Sequence, residues 1–196
     1  MANFVIGGIS GVGKSFLESV MQKELGYLPN VKYTNRPYRP GEKGTGLIIS
    51  LSDQEFDEME HEFFPVIYQT GFRYGYKMSD VEDNDKRTVA VPVKDVMPHV
   101  NTMSKSLIPI ILIVEKGNID LLINRIKKRE DFESKSKDIQ EKILQNIDDR
   151  IEIALKEIQQ AQALRTKIEE KKGRIFYIED DETIFKEVLP YIATFE

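Results

Sequence analysis

A glycine-rich segment that ends in lysine and serine stands near the start of the chain. The segment Gly8-Ile9-Ser10-Gly11-Val12-Gly13-Lys14-Ser15 fits the pattern G-x-x-x-x-G-K-[ST]. Glycines let backbone N–H groups converge on phosphate oxygens, which a Cβ atom would obstruct. A lysine at this spacing can neutralise the β- and γ-phosphates, and the following hydroxyl can bind Mg²⁺. The pattern therefore predicts a nucleoside-triphosphate site formed by Gly8, Ser10, Gly11, Val12, Gly13, Lys14 and Ser15.

Two arginines mark a second candidate site. Arg36 and Arg39 stand three positions apart in a loop that contains Pro37 and Pro40, and Glu42 follows. Two guanidinium groups in a rigid loop suit a dianionic phosphate, because each can donate paired hydrogen bonds to its oxygens. Residue types alone leave two interpretations open, a phosphate clamp and a solvated surface loop.

The composition excludes several other kinds of site. The 196 residues include no cysteine, which rules out disulfides, thiolate zinc sites and a cysteine nucleophile. Only two histidines are present, so a multi-histidine metal site or a Ser-His-Asp triad is disfavoured. We expect one of them, His99, to be a surface or helix-capping residue.

Charge and hydropathy indicate which partners and compartment to expect. The net charge of −5 disfavours a general binder of nucleic acid or of anionic membranes. The N-terminus lacks the pattern of a signal peptide, and the longest apolar run, residues 107–114, is too short to span a bilayer. We expect a cytoplasmic protein that binds neither nucleic acid nor membrane.

The elements that position these residues alternate between strands and helices. Residues 4–6 form an apolar run that leads into the glycine segment, and a helical spacing of apolar residues follows over 14–25. Residues 108–114 are the most apolar strand, which we place at the centre of the sheet. The alternation predicts an α/β domain with a largely parallel sheet flanked by helices, and the hairpin region of residues 33–78 interrupts it as an insertion.

The C-terminal half contains a long apolar stripe. Isoleucines and alanines from Ile139 to Ala161 recur every three or four residues, which predicts one amphipathic helix that ends at Gly173. The polar residues 131–137 before it are predicted to be mobile. The stripe is interpreted as core or lid packing, with the seam of a coiled-coil homodimer as the alternative.

The chain resembles the guanylate kinase family in a series of motifs that occur in the same order. The segment Thr34-Asn35-Arg36-Pro37-Tyr38-Arg39-Pro40-Gly41-Glu42 is similar to that family's Thr-Thr-Arg-x-Pro-Arg-x-Gly-Glu. The further similar segments are Leu51-Ser52-Asp53-Gln54-Glu55-Phe56, Tyr74-Gly75-Tyr76, Arg125-Ile126-Lys127-Lys128-Arg129, Arg150-Ile151-Glu152-Ile153-Ala154-Leu155-Lys156-Glu157 and Tyr177-Ile178-Glu179-Asp180-Asp181. They cover nearly the whole chain in the family's order.

The resemblance implies a P-loop kinase fold with three parts. It implies a core of residues 1–32, 88–128 and 151–196, an acceptor-binding insertion of residues 33–87 and a helical lid at about residues 129–150. ATP and Mg²⁺ are the implied cofactors, with Ser15 as the metal ligand. The acceptor phosphate would be bound by Arg36, Arg39 and Tyr74. The implied catalytic residues are Lys14, Arg125, Arg129 and Arg150.

The chain departs from the family where guanine is read. The base-reading Ser falls on Lys32, the base-reading Glu falls near Pro65, and an Asp-x-Asp strand end falls on Ala90-Val91-Pro92. A second phosphate-binding Tyr falls on Ile48, and the Asn that helps to hold the donor base falls on Glu179. A site that loses its hydrogen-bond partners loses its selectivity, so we expect an acceptor other than GMP.

These observations favour an ATP-dependent phosphotransferase that acts on a small phosphorylated acceptor, such as a nucleoside monophosphate other than GMP. One alternative is a sugar-phosphate kinase similar to the ribose 1,5-bisphosphate kinases. Another is a non-catalytic nucleotide-binding or guanylate-kinase-like interaction module. Because interaction modules of this kind have typically lost the phosphate loop, the intact loop favours an enzyme.

Overall fold

The computed structural model describes residues 2–39, 41–64, 66–69, 71–82, 86–102 and 107–196. Pro40 and Pro65, which figure in the predictions above, lie outside these residues. Two sheets organise the described part of the chain, one of five strands and one of four.

The five-stranded sheet is parallel throughout, as predicted. Its order is β2-β7-β1-β8-β9, so β1 is central and the apolar β8, predicted to be central, lies beside it. Every residue of β1 and β8 is buried, which explains why both read as continuous apolar runs. The strands are β1 Asn3–Gly8, β2 Leu28–Pro29, β7 Arg87–Val91, β8 Leu107–Ile113 and β9 Arg174–Tyr177.

The four-stranded sheet belongs to the predicted insertion and begins at Lys32. Its order is β4-β3-β6-β5, with β3 parallel to β4 and antiparallel to β6. The predicted hairpin is confirmed, because β5 and β6 pair antiparallel. The strands are β3 Lys32–Thr34, β4 Ile48–Ser50, β5 Ile67–Gln69 and β6 Phe72–Gly75.

Helices cover the sheets and connect the strands. The first helix of the insertion begins at a capping box, in which Ser52 and Glu55 satisfy each other's backbone N–H groups. The helices are α1 Lys14–Leu25, α2 Asp53–Met59, α3 Met78–Glu82, α4 Val93–Thr102, α5 Ile119–Arg129, α6 Lys137–Ala163, α7 Arg165–Glu170 and α8 Leu189–Ala193. Short 3₁₀ turns occupy Glu60–Glu62, Lys116–Asn118 and Phe132–Ser134, and a π-helical turn, Ile184–Val188, leads into α8.

One helix prediction needs correction. The helix predicted to run from residue 139 to Gly173 is two helices, because the N–H of Leu164 bonds to the carbonyls of both Gln160 and Ala161 and tightens the last turn of α6. Helix α4 continues through Pro98 to Thr102, so the proline does not end it.

The stripe on α6 separates into a buried and an exposed part. Ala154, Ile158 and Ala161 join the core, which confirms core packing for this half. Ile139, near the start of α6, is 46% exposed. The assignment of a lid to about residues 129–150 stays a prediction. The mobility of residues 131–137 and a homodimer seam stay predictions.

His99 is buried rather than at the surface, which corrects the prediction made from the sequence. Its side chain is fully enclosed, its Nδ1 lies 2.9 Å from the carbonyl oxygen of Asp95, and its ring packs edge-on against Tyr76. Burial lowers the pKa of His99 to about 4, so the ring is neutral near pH 7. Within the described residues, no helix is long and apolar enough to cross a bilayer.

Candidate nucleotide and acceptor site

The glycine segment forms a loop between the carboxyl end of β1 and the start of α1. Gly11 and Gly13 have φ angles of 82° and 111°, which L side chains rarely adopt, so glycine is required at both positions. A Cβ atom on Gly8 would lie 2.7 Å from the carbonyl oxygen of Leu112. No described side chain caps α1, whose first-turn N–H groups are therefore available to an anion.

Lys14 points its ammonium group into this loop. The Nζ atom donates to the carbonyl oxygens of Gly8 at 2.5 Å and Ile9 at 3.1 Å. Burial lowers the pKa of Lys14 to about 8, and the charge of Glu157 acts in the opposite direction. The group is thus a desolvated cation next to free N–H donors, which is an arrangement suited to phosphate oxygens.

Arg125 donates hydrogen bonds to the glycine-rich loop. Its guanidinium donates to the carbonyl oxygens of Val12 at 2.8 Å and Gly11 at 3.3 Å, and it forms a 2.5 Å ion pair with Asp181. The resemblance implied contact between Arg125 and the transferring group, which stays a prediction; in this structure the guanidinium bonds to two carbonyl oxygens of the loop and to Asp181. Arg125 therefore fixes the conformation of the loop in this structure.

Glu42 ties the arginine loop together. The guanidinium of Arg36 donates to its two carboxylate oxygens at 2.9 and 2.8 Å, and the backbone N–H of Arg39 donates at 2.7 Å. Although burial acts to raise it, the pKa of Glu42 is lowered by these contacts. Arg36 is buried and occupied, whereas Arg39 is exposed, so the two predicted clamp residues differ in availability.

The charges of Arg129 and Arg39 both act on Arg150. Arg150 is half-buried on α6, and burial together with the charges of Arg129 and Arg39 lowers the pKa of its guanidinium. Arg129 is exposed and pairs with Glu130 at 3.1 Å. Because the charges of Arg129 and Arg39 disfavour the charge of Arg150, an anion bound between the three guanidinium groups would be stabilised. Tyr74, on β6, pairs in register with Thr34 and is half-buried.

Two carboxylates near Lys14 were not predicted from the sequence. Glu157 is 9% exposed, and burial raises its pKa while Lys14 and the backbone N–H of Val93 lower it. Glu18, on α1, accepts a 3.2 Å hydrogen bond from the hydroxyl of Thr88. Helical spacing offered a signal for the first, because Glu157 and Arg150 are seven residues apart and share a face of α6.

The candidate metal ligand Ser15 is exposed in the first turn of α1. Among the described residues, no group of three or more His, Cys, Asp or Glu side chains could hold a metal ion. Mg²⁺ commonly keeps several waters and binds through substrate phosphates, so one protein hydroxyl fits a metal that arrives with a nucleotide.

Comparison with solved structures finds a similar fold. A crystal structure of guanylate kinase from Anaplasma phagocytophilum matches with a TM-score of 0.66 and 16% sequence identity, over 98% of this chain and 86% of that kinase. No protein-family model and no curated protein matches the sequence. The chain therefore has a guanylate kinase-like α/β fold, as the order of its motifs along the chain predicted.

Proposed function

We propose that this protein is an ATP-dependent phosphotransferase that acts on a small phosphorylated acceptor. The proposal rests on one relation along α6. Glu157 acts on Lys14 in the phosphate loop, and Arg150, on the same face, belongs to the cluster with Arg129 and Arg39. Seven helical residues separate the two positions by about 10 Å, a span that bound phosphates can fill.

The chemistry requires positioning and charge more than a base. An oxygen of the acceptor phosphate would bond to the γ-phosphorus of ATP, the bond from that phosphorus to the bridging oxygen would break, and ADP would leave. Lys14 and the N–H groups of α1 would hold the donor phosphates. Arg129 and Arg150 would stabilise the charge on the transferring group, because oriented cations in a water-poor site lower its energy.

The acceptor phosphate would meet Arg39 and Tyr74 first. Arg36 is already bonded to Glu42, so its role in phosphate binding includes holding the loop that presents Arg39. Mg²⁺, when it arrives with ATP, would neutralise phosphate charge and bind the hydroxyl of Ser15. The remaining ligands would be phosphate oxygens and water.

The proposal is tested by measuring ATP-dependent phosphorylation over a panel of nucleoside monophosphates and sugar phosphates. Lys14→Ala should lower the turnover about 100-fold or more, because it removes one charge-assisted contact to the transferring phosphates. Lys23→Ala is the matched control, since the side chain of Lys23 lies on the same helix and is 83% exposed. ATP binding without transfer to any acceptor would favour the non-catalytic module instead.

A further inference from the structure

A charged group occupies the space between the two sheets, beside the phosphate loop. Lys32 opens β3 and lies with its Nζ 5.6 Å from the ring centroid of Tyr76. The hydroxyl of Tyr76 donates to the carbonyl oxygen of Ala90 at 2.6 Å, which anchors the ring to the core sheet. The charge of Lys32 acts on both Glu18 and Lys14, and Glu18 and Lys14 act on each other.

The strand β3 directs Lys32 to the same face as the arginine loop. Side chains alternate along a strand, so Lys32 and Thr34 share one face and Tyr33 lies on the other. Thr34 accepts the backbone N–H of Arg36 at 3.1 Å, and Tyr33 packs against Phe63 on the opposite face. Lys32 therefore lies on the same face of β3 as Thr34, which contacts the arginine loop, and not on the face of Tyr33, which packs in the insertion.

The charge of Lys32 is retained at this position. Although burial acts to lower it, the pKa of Lys32 is raised by Tyr76 and Glu18. The hydroxyl of Tyr76 interacts with the ammonium group of Lys32, and among the described carboxylates none lies within salt-bridge distance of it, so not all of its three donor hydrogens are used. Glu18 adds a carboxyl group whose pKa is raised by burial, and one of its two oxygens accepts a hydrogen bond from the hydroxyl of Thr88.

This set of groups is rich in donors and poor in acceptors. An ammonium group has three donors and no acceptor. Ala90 and Pro92, where the family resemblance places the two carboxylates, are buried and apolar. Guanine would present several N–H donors to one shared carboxylate, and each donor left unpaired costs binding energy.

We propose that Lys32, together with Glu18, is a specificity-determining pair that binds the hydroxyl groups of a sugar phosphate. This inference rests on the proposed phosphotransferase function and names its acceptor class. A sugar hydroxyl both accepts and donates, so one hydroxyl can accept from Lys32 while its neighbour donates to Glu18. The arginine loop would hold the acceptor's phosphate at the other end of the same strand face.

The experiment compares purified wild-type protein with Lys32 variants in a coupled ADP-release assay. The probes are GMP and a panel of pentose and hexose monophosphates, with ribose 5-phosphate and 2-deoxyribose 5-phosphate as a matched pair. Lys32→Met should raise the KM for the preferred sugar phosphate about 10- to 100-fold and leave kcat within a few fold, because a charged hydrogen bond to the substrate is lost. Lys32→Arg should retain most of the affinity.

A matched control exists on the opposite face of the same sheet. The ammonium of Lys77 lies 5.4 Å from the ring centroid of Tyr33, so Lys77→Met removes a lysine from a tyrosine ring without approaching the proposed pocket. It should leave the acceptor KM unchanged. Removal of a contacted hydroxyl from the substrate should weaken binding to the wild type, and this loss should disappear in Lys32→Met.

The outcomes separate the inference from the function on which it rests. A kcat/KM for GMP that equals or exceeds that of every sugar phosphate would overturn the inference and leave the phosphotransferase intact. An unchanged sugar-phosphate KM in Lys32→Met would do the same. Transfer to no acceptor, with ATP still bound, would overturn both.

Discussion

The lowered pKa of Lys14 predicts that ATP binding weakens as the pH rises from 7 to 9. Lys14 lies in the phosphate loop with a pKa of about 8, which burial lowers from the ordinary value of 10.5. Only the protonated ammonium attracts phosphate. Bound phosphate would raise this pKa again, so binding is accompanied by proton uptake at high pH.

The size of the effect follows from the fraction of protonated lysine. With a pKa of about 8, about nine-tenths of the free protein carries the charge at pH 7 and about one-tenth at pH 9. If the bound form keeps the proton throughout, the apparent affinity falls about tenfold over these two units. The sign is fixed, because the affinity is highest below the pKa of the free protein and declines as the pH rises through it.

Isothermal titration calorimetry with ATP at several pH values, at constant ionic strength, measures this dependence. Repeating the titration in buffers of different ionisation enthalpy reports the protons taken up. Lys14→Gln is the control, because it keeps Glu18, Glu157 and Lys32 and so preserves any slope that they cause. Circular dichroism at each pH checks that the fold is retained.

A wild-type affinity that stays constant or rises between pH 7 and pH 9 would refute this reasoning. An equal slope in Lys14→Gln would also refute it, because the proton would then belong to another group. A downward slope confined to the wild type, with matching proton uptake, is the expected result.

Three further predictions concern the lid, the loop support and the insertion. Arg150→Ala should lower kcat more than it raises the acceptor KM, because its contact strengthens on the transferring group; steady-state kinetics with unchanged kcat would contradict this. Arg125→Ala should raise the KM for ATP about tenfold by freeing the loop carbonyls, whereas an unaltered KM would show that the loop holds without it. Ser52→Ala should lower the free energy of unfolding by about 1 kcal/mol through loss of the capping box. Urea denaturation measures this loss, with Gln54→Ala on the same helix as the control. Equal unfolding midpoints for the wild type and Ser52→Ala would argue against it.

Much of the fold could be predicted because its signals are local. Continuous apolar runs identify β1 and β8, since both faces of a parallel sheet are covered. The order of Ser52 and Glu55 predicts the start of α2, because the two groups bond within one turn. The glycines of the phosphate loop likewise report backbone angles, which depend on few neighbours.

The errors arise where distant segments decide the outcome. His99 is polar by residue type, but its position on α4 faces the core, and its ring has a partner in Tyr76 from the insertion. The bonds of Arg125 also come from distant segments, because Gly11 and Val12 lie more than 100 residues earlier, and no local pattern points to them. Its contact with the transferring group stays a prediction. Periodicity reports which face of a helix is apolar and does not report which groups approach the other face.

The proposed acceptor site depends both on a local sequence signal and on contacts between distant segments. Comparing motifs in order predicted that Lys32 replaces a guanine reader, because the position is defined by its distance along β3 from Arg36. The same comparison could not predict Glu18, since that carboxylate comes from α1 and is brought to Lys32 only by the packing of the core against the insertion. A cation alone would suit a second anionic group on the acceptor. A cation next to a carboxylate suits neutral hydroxyls better, because the carboxylate repels an anion and accepts a hydroxyl hydrogen. The choice of acceptor class therefore depends on the pair, and the pair exists only in the folded protein.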